Sequence, residues 1–215
     1  DSAKKLYDTS FKVKLIKEAE VLFRRRGFYK SLNTDPNIMG VGNGVLVLTK
    51  NPYLIKSYHN FPITMYSEIN YIPYDENNPN IQLLEKTIKD LFPVHEMDAM
   101  EYILYYFAAC LDGKPKESMF LLLTGGGGNG KSLLLELMLT VIGDYGQKMQ
   151  MQFLTDSRSK SSGADPSLMQ LENTRFAYYS ESDKNDKLNT SKLKEITGQE
   201  TISGRNLYEK QKNFR

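Results

Sequence analysis

The chain has 215 residues, 40% of them hydrophobic, enough for one large domain or two small ones with a real core. Its formal net charge is only +2, so no overall basic field advertises nucleic acid, and any such contact must come from local patches. The single cysteine, Cys110, excludes an intrachain disulfide framework, fits a reducing compartment and sits in an apolar helical pattern as a small core hydrophobe.

No window approaches the roughly 18 uninterrupted apolar residues of a membrane span, so no membrane partner is expected. The first residue is Asp1, no secretory signal follows, and Gln211-Lys212-Asn213-Phe214-Arg215 carries no terminus signal. The chain therefore reads as a piece of a longer polypeptide.

Taken in order, Phe11 to Phe23 has apolar residues at Leu15, Ile16, Ala19, Leu22 and Phe23, which is helical spacing, and Arg24-Arg25-Arg26-Gly27 ends the run. From Ile38 the period changes. Ile38–Val41 and Val45–Leu48 predict two short strands, with Asn43-Gly44 as the turn signal. Pro52, Pro62 and Pro73 punctuate two further β-prone stretches, Tyr53–Tyr58 and Ile63–Ile72. Asp75-Glu76-Asn77-Asn78-Pro79-Asn80 is loop-like and marks a boundary.

Two helices are predicted next. One spans Ile81–Leu91; the other spans Met97–Leu111, with Met100, Ile103, Leu104, Phe107, Ala108 and Leu111 on its apolar side. Tyr102, Tyr105 and Tyr106 read better as packing residues with a hydroxyl at the edge than as base-stacking ones. Asp112-Gly113-Lys114-Pro115 breaks the chain. Beyond Lys116 the pattern is α/β: Met119–Thr124 reads as a buried parallel strand, Lys131–Ile142 as a helix stopped by Gly143, and Arg175–Ser180 as a second strand. A short helix over Ser191–Thr197 follows an Asn189-Thr190-Ser191 cap, and Ile202–Phe214 reads as extended, with a hairpin possible. The expected organisation is a small α+β module (1–75), a helical collar or oligomerisation segment (76–115) and an α/β P-loop domain (116–215).

The strongest local signal is Gly125-Gly126-Gly127-Gly128-Asn129-Gly130-Lys131-Ser132, which matches G-x-x-x-x-G-K-[ST] between the expected strand and helix. Glycines let the backbone wrap closely, so that its N–H groups face phosphate oxygens, and the helix start adds its positive dipole end. The expected ligands are ATP and Mg²⁺, with Lys131 on the β- and γ-phosphates and the Ser132 hydroxyl on the metal. A carboxylate is needed at the end of a neighbouring strand. Phe176-Ala177-Tyr178-Tyr179-Ser180-Glu181 offers Glu181 for the Mg²⁺ shell and for the attacking water, with Asp183 and Asp186 as weaker candidates. The guanine-reading pattern Asn-Lys-x-Asp is absent. On these residues alone, a nucleotide or metabolite kinase and a non-hydrolysing ATP-binding oligomerisation module remain open as alternatives.

Three segments together, Gly125–Ser132, Arg175–Glu181 and Leu193–Tyr208, resemble the superfamily 3 helicases, and most of all the primase–helicase proteins of poxviruses and other large DNA viruses. Asn43-Gly44-Val45-Leu46 and the helices before Lys116 are similar to the region preceding the motor in that family. The resemblance implies an AAA+-like ring, hexameric, that hydrolyses ATP to translocate on single-stranded or forked DNA beside other viral replication proteins, in the host cytoplasm. It also implies a hairpin after the acidic strand that projects basic residues into the channel. Lys194, Arg205, Lys210 and Lys212 are eligible, with Arg205 favoured. The sensor strand and the arginine supplied to a neighbouring site have no assignable residue here, and nothing resembles a primase active site.

Overall fold

A computed structural model describes residues 5, 7–114, 118–155, 165–179, 187–198 and 201–214. The first long element, α1 (Thr9–Phe23), is capped by the Asp8 carboxylate, which accepts from Ser10 N at 2.8 Å. Its apolar stripe is uncovered: Leu22 and Phe23 are 77% and 82% exposed. After a short α2 (Phe28–Ser31), the strands β1 (Ile38–Val41), β2 (Gly44–Val47) and β3 (Tyr53–Ile55) form an antiparallel sheet in that order.

The β1–β2 turn is Gly42-Asn43, one residue earlier than the sequence signal, because Gly44 is already paired with Val41. A side chain is excluded at Gly44: its φ is +147° and an added Cβ would lie 2.3 Å from the Ile55 carbonyl of β3. Asn43 instead pairs its amide with the backbone of Tyr71, accepting at 2.9 Å and donating at 2.8 Å.

The stretch Ile63–Ile72, expected to be β-prone, forms no strand and touches β1 through one parallel bridge, Gly40 to Tyr66. Beyond that bridge the register shifts, Gly42 N donating to Ile69 O at 2.9 Å. Tyr145 Oη sits beside the bridge, accepting from Gly40 N at 3.0 Å and donating to Met65 O at 2.7 Å.

Two helices, α3 (Pro79–Asp90) and α4 (Met97–Leu111), lie where the periodicity puts them, and α4 buries Met100, Ile103 and Phe107. Of the three tyrosines on α4, Tyr106 packs against the core beside Cys110, whereas Tyr102 and Tyr105 are exposed. Helix α5 (Lys131–Ile142) ends at Gly143, whose φ is +58° and whose added Cβ would meet the Ser67 Cα at 2.6 Å.

A tight turn then leads into β4 (Gly146–Met149), a strand that no apolar run announces. It pairs in parallel with β5 (Phe176–Tyr179). Short helices α6 (Gln152–Thr155), α7 (Pro166–Met169) and α8 (Thr190–Thr197) and a hairpin of β6 (Ile202–Gly204) with β7 (Lys212–Phe214) complete the described residues. Asn189 caps α8 by accepting from Lys192 N at 3.1 Å.

The strand expected over Met119–Thr124 is absent. Leu121 and Leu123 are half-buried against the core, but Leu122 is 73% exposed, so one side of the run is covered and no ladder partner lies beside it among the described residues. A continuous apolar run becomes a strand only when pairing and both faces are provided.

Alternate β5 residues serve two cores. Phe176 and Tyr178 join Met39, Leu46, Ile103, Phe107, Leu134, Met138 and Ile142, while Ala177 and Tyr179 pack against Met149, Phe153, Leu154, Leu168 and Ile202. The first of these cores draws on residues 1–75, 76–115 and 116–215 alike. The chain is thus a mixed α/β protein with a small parallel sheet.

Candidate functional site

Residues 125–130 form an exposed loop that hands over directly to α5. Gly125, Gly128 and Gly130 have φ values of +145°, +73° and +79°, a conformation in which an L side chain is strained. Gly130 is further restricted by Leu91 at the end of α3, which an added Cβ would meet at 2.5 Å. Among the described residues, nothing lies within 4 Å of a Cβ added at Gly126, Gly127 or Gly128.

Lys131 folds back over that loop. Its Nζ donates to Asn129 Oδ1 at 2.6 Å, to Gly126 O at 3.1 Å and to Gly125 O at 3.3 Å. Among the described residues no side chain caps the N-terminus of α5, whose N-cap is Gly130, so its first N–H groups suit an approaching anion. Ser132 is exposed on the first turn. An ammonium held by three oxygens, uncapped helix N–H groups and a roomy glycine backbone suit a polyphosphate, and the Ser132 hydroxyl suits a hard cation such as Mg²⁺. Among the described residues, no three His, Cys, Asp or Glu side chains converge on a metal-sized site.

The orientation of the sheet is fixed by a polar cluster. Tyr178 Oη donates to Glu136 Oε1, Lys148 Nζ reaches the same oxygen at 3.1 Å, and Lys148 lies 5.6 Å from the Tyr178 ring centroid. The Tyr178 hydrogen bond, with Lys148 beside it, holds the Glu136 carboxyl below its ordinary value. Gly146 at the start of β4 meets Leu139 and Ile142 near the end of α5, while Lys148 further along β4 meets Glu136. Helix α5 therefore runs antiparallel to β4 and β5, and its start lies toward the edge where both strands end. In open α/β sheets that edge is where ligands bind. Glu181, two residues past β5, lies outside the described residues, as do Asp183 and Asp186. Burial pushes the Tyr179 phenol, the last side chain of β5, up to about 12.

Arg175, which opens both the expected strand and the segment that resembles the helicases, is a junction. It donates to Leu111 O at the end of α4 and to Ile38 O at the start of β1, both at 2.6 Å, and lies 4.5 Å from the Tyr145 ring centroid. Burial lowers its pKa. An arginine before a strand carries no sequence signal for such a role, because its partners are backbone carbonyls far away along the chain.

The basic candidates separate. Lys194 is exposed on α8, Arg205 follows β6, and Lys210 is exposed in the loop between β6 and β7. Lys212 is ion-paired with Glu172, so part of its charge is already answered. None of the four adjoins the glycine loop in sequence, and they collect on α8 and the hairpin.

The fold and the loop define an α/β protein built around a glycine loop that opens a helix beside a parallel strand pair. No family model matches the chain. Over 99% of its length the chain is 38% identical to a protein of African swine fever virus named "Putative primase C962R". It is 33% identical over 95% of its length to "Putative helicase L207/L206" of Acanthamoeba polyphaga mimivirus, and 28% identical over 63% to "Putative helicase 022R" of Frog virus 3. The chain spans about a fifth of the length of the first two, 22% and 21%, and 14% of the third. These relatives all come from large DNA viruses, and they bear out the resemblance to the primase–helicase proteins of such viruses. Among the described residues, no helix is long and apolar enough to cross a membrane.

Proposed function

We propose that this chain belongs to the ATP-hydrolysing motor of a viral replication protein, of the superfamily 3 helicase type, that translocates on single-stranded DNA as a ring of identical subunits. The observation that carries the proposal is the closure of loop 125–130 on Lys131 at the start of α5. The backbone N–H groups of Gly126–Ser132 bind and orient the phosphates, and Lys131 exchanges its loop oxygens for those of the β- and γ-phosphates. Ser132 holds Mg²⁺, which when bound withdraws charge from the phosphate oxygens. Glu181 orients the attacking water and takes its proton.

Lys194, Arg205, Lys210 and Lys212 contact the DNA backbone in this proposal, Lys212 exchanging its ion pair with Glu172 for a phosphate. The α3–α4 segment acts as a collar. The shared first core supports its moving as one block with the N-terminal module and the motor.

The test uses the full-length protein. Wild type should hydrolyse ATP with Mg²⁺, faster with single-stranded DNA, and unwind a forked duplex. Lys131→Ala should lower turnover by about 100-fold or more, as loss of a charge-stabilising group does. Wild-type turnover in that variant defeats the proposal. Phosphoryl transfer to a small acceptor with no DNA effect would point to a kinase, and tight ATP binding without hydrolysis to a non-catalytic module.

A further inference from the structure

Among the described residues, three non-glycine residues adopt positive φ: Asn33 (58°), Asn173 (60°) and Tyr208 (65°). Asparagine tolerates this region; a bulky aromatic does not, and such an outlier points to function. Tyr208 is also fully solvent-exposed, at 103% of its reference area, and Leu207 beside it is 65% exposed.

The segment is not a loose end. Glu209 N donates to Asn206 O at 3.3 Å and Asn206 Nδ2 donates to Glu209 Oε2 at 3.1 Å, so residues 206–209 form a doubly closed turn. Tyr208 takes the third position of that turn, where a positive φ ordinarily calls for glycine. Beneath the turn the hairpin is anchored. Ile202 and Gly204 are buried, Gly204 faces the Met169 sulfur, and Asp165 N donates to Arg205 O at 3.1 Å. Ser203 Oγ donates to Asn213 Oδ1 across the strands at 2.7 Å, and Lys212 pairs with Glu172. A pinned turn thus presents an aromatic ring to solvent at a backbone position that disfavours it, with Arg205 and Lys210 within three residues on either side.

We propose that Tyr208 is a stacking platform for an unpaired base of single-stranded nucleic acid, held at the tip of the β6–β7 hairpin between two phosphate-contacting cations. The proposal rests on the DNA-motor reading. It adds to it a contact with a base where that reading has contacts with phosphates alone. Stacking of this kind is indifferent to sequence, because every base has a π face, and it adds nothing to the salt dependence that phosphate contacts create.

The experiment titrates a fluorescein-labelled oligothymidine with the full-length protein at several salt concentrations, for wild type, Tyr208→Gly and Tyr208→Phe. Tyr208→Gly should weaken binding by about 5- to 150-fold, the range of one lost stack, with the slope against salt unchanged. Its thermal midpoint should equal or exceed that of wild type, since glycine suits the turn. Tyr208→Phe should bind like wild type.

Wild-type affinity in Tyr208→Gly overturns the proposal. So does a Tyr208→Phe variant as weak as the glycine variant, and so does a changed oligomer size in Tyr208→Gly, which would place the ring against a neighbouring subunit. If wild type neither binds the oligonucleotide nor answers it with faster ATP hydrolysis, the motor reading falls and this one with it. Strong wild-type binding together with an unaffected glycine variant sinks this one alone.

Discussion

Replacing Arg175 with alanine should loosen the junction between the N-terminal sheet and β5. The guanidinium donates to two backbone carbonyls, Leu111 O and Ile38 O, and stands over the Tyr145 ring. Each charged hydrogen bond contributes about 1.5–3 kcal/mol and the cation–π contact roughly 0.5–2. Water entering the space left behind re-solvates the two carbonyls in part, so the net loss should be about 3 kcal/mol rather than the full sum.

Hydrogen exchange read by mass spectrometry on peptides covering Ile38–Val41 and Phe176–Tyr179 is the direct assay. A loss of about 3 kcal/mol accelerates exchange there by roughly 150-fold if these strands open together. Arg175→Lys keeps the charge but not the fork, so it should fall between alanine and wild type. Acceleration below about 5-fold in Arg175→Ala, or equal effects of lysine and alanine, would refute the reasoning.

Asn129→Ala removes the shortest of the three oxygens on Lys131, so a nucleotide has less to displace and should bind about 5-fold more tightly. Titration with a fluorescent ATP analogue checks this, and unchanged or weaker affinity counts against it. Burial raises the Cys110 thiol from 9.0 to about 11, which disfavours the reactive thiolate. Iodoacetamide at pH 8 should therefore label native Cys110 roughly 100-fold more slowly than the denatured chain, and equal rates would contradict the burial. Glu136 titrates below its ordinary value because Tyr178 and Lys148 bond its ionised form. Its contribution to stability is therefore present above the usual carboxylate range and is lost as pH falls through the depressed folded-state pKa. Melting curves of wild type and Glu136→Gln should be separated at neutral pH and should converge in acid, once the pH lies below the depressed folded-state pKa; a gap that widens with acid would be the wrong sign.

Helices were the most legible part of this chain, because α3, α4 and α5 each carry a repeated apolar face bounded by Pro79, Asp112 and Gly143. Local pattern also located β1, β2, β5 and the closing hairpin. What escaped it depends on distant partners. Met119–Thr124 has the composition of a buried strand but no ladder to join, and Gly146–Met149, with a glycine, a glutamine and a lysine, pairs with β5 without an apolar run to announce it.

The Tyr145 hydroxyl bonded to Gly40 and Met65 and the Arg175 fork are likewise contacts of long sequence separation. At the site, the motif located the loop and the lysine, and the spacing of Asn129 two residues before Lys131 could have suggested their contact. Tyr208 was hidden because a positive φ on tyrosine cannot be read from residue type.

The most direct measurement is a structure of the full-length protein with Mg²⁺ and a non-hydrolysable ATP analogue. The account predicts phosphate oxygens at hydrogen-bond distance, about 2.9 Å, from Lys131 Nζ and the loop N–H groups. It also predicts one Mg²⁺ about 2.1 Å from Ser132 Oγ, with Glu181 reaching its water shell. A nucleotide seated elsewhere, or a Glu181 carboxylate turned away from the phosphates on the other side of the sheet, would contradict it.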